Sequence, residues 1–334
     1  MTDQLALFDT APPPPPDPVA AQLAAAHADA RQLVEALPAT VRFGTSSWSF
    51  PGWAGLVYSS RRSQTALSRE GLREYARHPL LSIVGVDRSY YAPIPVDDLR
   101  AYASQVPDGF ECCFKAPASV MAQRLGPPSQ STPNPDFLSV DRLIDDLLAP
   151  LALACYDRTG PIILELAPVA AAHRLPPDAL LERLDAFLTA LPHEFRYAVE
   201  LRDARLLTPA YRTLLHRTGV AHTYNYWSAM PMPARQAEVV PPDDHAFGVV
   251  RLLLRPGTFY EAQRERFSPF NALVEPDEAM RRDVVSVVQH LSRGGRTAYV
   301  LVNNKAEGSS PLTVMALARA LAEATAASRT SGKT

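Results

Sequence analysis

The sequence predicts an α/β fold of the TIM-type (β/α)8 barrel class, and three observations predict it. Eight short β-forming runs recur between residues 41 and 304, helix-like stretches separate most of them, and each run begins apolar and ends polar. A doubly wound open sheet competes, but it calls for a glycine-rich phosphate turn after the first strand, and GTSSW is no such turn.

Taken in order, the chain opens MTDQLALFDT, followed by prolines 12–16, which lack backbone donors and read as a stiff polyproline II spacer. Residues 1–17 are therefore expected to be a disordered tail. PVAAQLAAAHADARQLVEALP (18–38) reads as one helix, with Pro18 at its start and Pro38 ending it. The strand runs are 41–48, 82–91, 110–117, 161–168, 196–203, 220–227, 247–254 and 297–304. Helical stretches follow the first five, and TPAYRTLLHRTG carries its own stop and start signals: Thr208 as N-cap, Pro209 in the first turn, Gly219 past the end. SSPLTVMALARALAEAT makes the last helix. Between strands six and seven, SAMPMPARQAEVVPPDD has four prolines and is expected to lack a regular helix. The barrel is assigned residues 41–326 and a disordered C-terminus 327–334.

Composition limits the function classes. The 334 residues carry 33 Lys and Arg against 35 Asp and Glu, a net charge of −2, so no global basic field attracts nucleic acid and any anion recognition must be local. Three cysteines, two of them adjacent, make a poor disulfide framework and fit reduced thiols in a cytoplasmic protein. No long uncharged apolar run or secretory signal is present, so no membrane partner is expected.

Period-two alternation places the polar residues at the strand ends on one face. Ser46 and Trp48 align on strand one, Asp87 and Tyr91 on two, Lys115 on three, Glu165 on four, Glu200 and Arg202 on five, Arg251 on seven and Asn303 on eight. In a barrel these ends converge on the C-terminal mouth, where sites of this fold are built. The bland alternative is an internal network, with Glu200 paired to Arg202 or Lys115 and Glu165 to Arg251. Lys115, Arg202 and Arg251, with Arg255 beyond, suit a phosphate or carboxylate. Trp48, Trp53, Tyr91, Tyr226 and Trp227 offer flat faces for a ring, and Asn225 and Asn304 add polar contacts. Asp87, Glu165 and Glu200 are the candidate acid and base groups, with Lys115 beside them.

The expected ligand is phosphate-bearing, either a small molecule or nucleic acid. A carbohydrate- or small-metabolite-directed hydrolase or lyase is the alternative, and a non-catalytic anion-binding module another. No organic cofactor is expected. A multi-metal site lacks its histidines, since only His222 lies in a strand and His78, His173, His193, His216 and His290 read as solvated; one divalent ion on Asp87, Glu165 and Glu200 stays open but is not favoured. Residues 255–278 read equally as a lid over the mouth or a docked surface loop.

The same motifs carry a family resemblance. GTSSWSFPGW, VGVDRSYYAP, FKAP, AVELRD and RTAYVLVNN resemble, in order, the motifs of the family called domain of unknown function 72, the YecE-like proteins, over about residues 41–321. The resemblance implies a TIM-type barrel with no established reaction, and marks Ser46, Trp48, Trp53, Tyr91, Lys115, Glu200, Arg202, Arg251, Asn303 and Asn304. The family's Glu and Asn on strand two are Gly85 and Asp87 here, and Leu252 and Leu253 replace its His-Gly after the strand-seven Arg. A mechanism needing that Glu or that His has no residue for it in this chain. Gln4-Leu5-Ala6-Leu7-Phe8 resembles the pentapeptide by which bacterial replication and repair proteins hold the DNA sliding clamp, which implies a clamp partner for Gln4, Leu5, Leu7 and Phe8.

Overall fold

The computed structural model describes residues 17–127 and 130–331, so Gln4, Leu5, Leu7 and Phe8 lie outside the described residues. Eight parallel strands form the barrel: β1 Val41–Thr45, β2 Leu81–Val86, β3 Glu111–Phe114, β4 Ile162–Glu165, β5 Tyr197–Glu200, β6 Ala221–Tyr226, β7 Phe247–Leu252 and β8 Thr297–Val302. Their spatial order is β3-β2-β1-β8-β7-β6-β5-β4. Bridges from Cys112 to Thr159 and from Lys115 to Ile163 bring the last edges together, and Ala116 N donates to Ile163 O at 2.9 Å. Each strand is shorter than its sequence run because the polar ends peel away into loops.

Helices form where the caps predict them. Helix α1 (Pro18–Ala36) starts at Asp17, whose carboxylate accepts from Val19 N at 2.9 Å. Helix α2 (Gln64–Tyr75) is capped by Ser63, and α3 (Val96–Ala103) follows β2. The helical stretch after β3, α4 (140–154), has a π-turn at Ile144–Leu148, directly ahead of Pro150, which cannot donate its amide and crowds the preceding turn. Helices α5 (Pro177–Thr189) and α6 (Pro209–Thr218) come next, the latter with Thr208 as N-cap and Gly219 at φ 69° closing it.

One expectation is corrected between β6 and β7, where Pro233–Val239 forms a helix, α7. Pro233 sits in its first turn, where a missing amide costs nothing, so it starts the helix instead of preventing it. Gln236 anchors α7: its amide donates to Pro231 O and Asn225 O, both at 2.6 Å, and accepts from Asn225 N at 3.1 Å. After β7 come α8 (Tyr260–Phe267) and α9 (Glu278–Arg293), and α10 (Ser310–Ser331) closes the described chain.

The core has two shells. Ile83, Cys113, Ile163, Ala198, Val249, Tyr299 and Leu301 fill the barrel interior, while a larger cluster packs the outer strand faces against the helices. The N-terminal end is plugged by Arg196 Nη2 on Glu111 Oε1 at 2.6 Å, which reads as stability, not function. Among the histidines expected in solvent, His78 is instead buried, its ring 5.0 Å from His27 on α1 in an edge contact. Burial, then His27, lowers its pKa to about 3.

Candidate functional site

Alternation works as the sequence predicts for the charged residues. Glu165 ends β4, Glu200 ends β5 and Arg251 lies on β7, all facing inward, and Lys115, Arg202 and Asp87 stand just beyond β3, β5 and β2. They meet in one lattice. Glu165 Oε2 takes Arg202 Nη2 at 2.5 Å and Lys115 Nζ at 2.8 Å, with Arg251 Nη1 at 3.9 Å. Glu200 takes Arg251 Nη1 at 2.6 Å and also pairs with Arg202. Arg251 Nη2 reaches on to Asp87 Oδ1 at 3.0 Å.

Three carboxylates thus face three cations, and each cation has an acidic partner. The expectation of cations awaiting an anion is corrected in that respect; the network weighed as the bland alternative is present. Its electrostatics follow from burial. Desolvation pushes the Glu165 carboxyl up, but Arg202, then Lys115 and Arg251, outweigh it and hold it at about 2. Burial alone would lower the Arg251 pKa, yet Glu200, Asp87 and Glu165 raise it above its usual range.

Donor capacity remains. A guanidinium has five N–H groups and an ammonium three. Arg202 Nε, Arg251 Nε and Ser46 Oγ are buried with no hydrogen-bond partner among the described residues. Two aromatic rings cover the lattice: Arg202 Cζ lies 3.9 Å from the Trp227 ring centroid, and Lys115 Nζ 3.6 Å from that of Tyr90. Asp87 keeps 35% of its side chain exposed, which makes it the most accessible of the three carboxylates.

Tyr90 is the residue that sequence reasoning missed. β2 ends at Val86 and Arg88–Tyr91 forms a helical turn, so alternation no longer applies there. Ser89 Oγ pins that turn, donating within reach of Val86 O at 2.9 Å and Lys115 O at 2.7 Å. Tyr91 is 81% exposed at the rim. The signal that could have found Tyr90 is the Asp87-to-Tyr90 spacing of three, which suits a turn. Burial, then Glu165, raises the Tyr90 pKa and keeps its phenol protonated.

Several expected ligand contacts turn inward instead. Trp53 is fully buried, and Trp48 packs edge-on against Tyr102 while its Nε1 donates to Leu67 O at 3.0 Å. Tyr226 is buried with its hydroxyl on Asp277 at 2.7 Å. Asn225 is buried and donates to Leu201 O at 2.6 Å. Asn304 is buried too, its Oδ1 accepting from Ser310 N at 2.7 Å at the start of α10. Arg255 stands apart from the lattice, on Glu275 at 2.8 Å. Asn303 stays part-exposed at the mouth, its Oδ1 accepting from Lys305 N at 3.1 Å.

No three His, Cys, Asp or Glu side chains among the described residues are grouped to hold a metal ion. Arg251 bridges Glu200 and Asp87, and Arg202 bridges Glu165 and Glu200, so the carboxylates considered for a divalent ion are occupied by cations of the chain itself. Segment 255–278 is docked. Phe270 packs edge-on against Phe50 at 5.5 Å, and Val274 N and Glu275 N both donate to Glu307 O.

The fold and this mouth define an α/β barrel of the TIM type. The chain belongs to the family described as protein of unknown function DUF72, which matches residues 42–333. It is 30% identical over 188 residues to the UPF0759 protein YecE of Escherichia coli K12, covering 54% of this chain and 57% of that protein, so it spans a little over half the length of that curated relative. A crystal structure of a DUF72 protein from Thermotoga maritima superposes with TM-score 0.56 at 19% identity, over 84% of this chain and 98% of that one. One from Enterococcus faecalis does so with TM-score 0.56 at 14% identity, over 85% and 95%. Among the described residues no helix is long and apolar enough to cross a membrane.

Proposed function

We propose that the C-terminal mouth binds a phosphate-bearing ligand. The observation that supports this most is the set of buried, unpartnered donors, Arg202 Nε, Arg251 Nε and Ser46 Oγ, around a charge-balanced floor. Buried donors are ordinarily satisfied, and oxygens of an anion would satisfy these once the side chains over the floor, the Trp227 and Tyr90 rings among them, shift to expose them. The Trp227 and Tyr90 rings cover the same floor, which suits a ligand carrying a ring as well as a phosphate. Asp87 is the carboxylate placed to exchange a proton with that ligand. The glycoside-hydrolase alternative needs a protonated acid on β4, and Glu165 at about 2 is ionised at neutral pH.

Thermal shift against inorganic phosphate, mononucleotides, sugar phosphates and neutral sugars tests the reading. Phosphate-bearing compounds should raise Tm; stabilisation by neutral sugars alone would overturn it. Asp87→Asn then separates enzyme from binding module: retained binding with turnover lost supports catalysis, and no turnover in the parent chain supports binding only.

A separate observation supports a partner. Gln4, Leu5, Leu7 and Phe8 precede a proline spacer, which suits a tethered peptide for the apolar groove of a sliding clamp. A peptide of residues 1–17 should bind the clamp and its Leu7→Ala, Phe8→Ala form should not; failure of the unchanged peptide removes the idea.

A further inference from the structure

We infer that a basic track leads from the mouth down the wall of α2 and takes the backbone of a single nucleic-acid strand whose end lies in the mouth. This rests on the phosphate reading above and names its ligand class. The track is built from two contiguous clefts. The first, about 730 Å³, opens at Gly85 and Asp87 in the mouth and runs outward between α2 and α3. The second, about 610 Å³, continues it along α2, and the two share Arg69 and Ala101 as a common wall.

Arg69, Arg73 and Arg77 follow one another along this path, all exposed. Arg69 and Arg73, four apart on α2, share a helix face and rise about 6 Å, a step comparable to that between successive phosphates of one strand, and Arg77 extends the file from the turn just past the helix end at Tyr75. None of the three makes an ion pair among the described residues; the neighbouring acids turn to Arg62 instead. Arg62 Nη2 holds Glu70 at 3.1 Å, and its Nη1 holds Glu74 at 3.7 Å. In a chain of net charge −2, four arginines, Arg62, Arg69, Arg73 and Arg77, against two glutamates along the second cleft form a local positive field that the composition does not imply.

The shape favours a strand over other polyanions. A membrane surface needs a broad face with apolar anchors, and none of the exposed large apolar side chains among the described residues lies on α2. A cleft between two helices that ends in a barrel mouth admits one flexible backbone end-on, whereas a duplex offers a stiff, wide cylinder.

The test is fluorescence anisotropy of a labelled short oligothymidylate with the 334-residue chain across a salt series. The comparison is a variant carrying Arg69→Ser, Arg73→Ser and Arg77→Ser, whose exposed positions leave Tm and circular dichroism as checks on folding. Losing three phosphate contacts should weaken binding and make the slope of log K against log salt shallower by about two. Equal affinity and slope in both chains overturns the track. So does equal affinity for a duplex or for anionic phosphatidylserine vesicles. Parallel titrations with inorganic phosphate and a mononucleotide keep the two ideas apart. If these bind and the strand does not, the track falls and the mouth stands; if the strand binds through the arginines and neither small probe does, the mouth reading falls and the track stands.

Discussion

Glu165 concentrates the physics of the site. It is a nearly buried carboxylate that stays ionised because Lys115 and Arg202 lie within 2.8 Å of it. Glu165→Gln leaves both cations without their shared anion, and breaking such a buried pair costs about 3–5 kcal/mol; urea unfolding at neutral pH should register that loss. The pH dependence has a definite sign. The folded-state value, about 2, lies below the ordinary glutamate value of about 4.3, so its contribution is complete above that value and disappears as pH falls toward 2. The Glu165→Gln chain should lack that component in a pH series of denaturation curves.

Two buried histidines act at milder pH. Burial, then His27 for His78, lowers the His78 pKa to about 3; burial likewise takes His222 to about 3 against a raising contact from Gln236. The unfolded chain takes up these protons below about 6.5, so stability should decline from there before any carboxylate contributes. In the same curves, His78→Leu should flatten the slope between about pH 6.5 and 5; an unchanged slope would contradict its being buried neutral. At this scale the sequence revealed the charged residues well, because alternation on a strand fixes a face. It failed for Trp53, which is fully buried, since an aromatic residue after a strand looks the same whether it packs inward or meets a ligand.

Among the elements, caps and prolines were legible and tertiary anchors were not. Thr208, Pro209 and Gly219 bound α6 as their chemistry requires, whereas α7 depends on Gln236, whose partners Asn225 and His222 on the preceding strand are set by packing and not by any cap signal. Replacing Gln236 by Ala strands buried donors and acceptors of Asn225 and His222, at about 1–3 kcal/mol for each group left unsatisfied. Hydrogen exchange should then quicken across α7 first. Segment 255–278 gives a steric test. A Cβ built on Gly52 would lie 1.8 Å from Pro269 O, so Gly52→Ala should loosen that segment and raise its exchange rates while the barrel strands keep theirs. Unchanged exchange there would mean the contact does not hold the segment in place.

The whole molecule was readable as a barrel because eight apolar runs with polar ends recur in order, and a parallel barrel sends those ends to one mouth. How the charges there are shared was not readable, because pairing across the mouth depends on side-chain reach between strands that the sequence leaves unspecified. The central claim is that this charge-balanced mouth still has donors to give a phosphate-bearing ligand. A ligand at a hundred times its Kd stabilises the folded chain by about 2.7 kcal/mol. The most direct measurement is hydrogen exchange by mass spectrometry on the 334-residue chain, with and without a saturating mononucleotide. Added protection at residues 86–91, 225–228 and 303–305 is the predicted result; protection confined to other surfaces, or none at saturation, would contradict it.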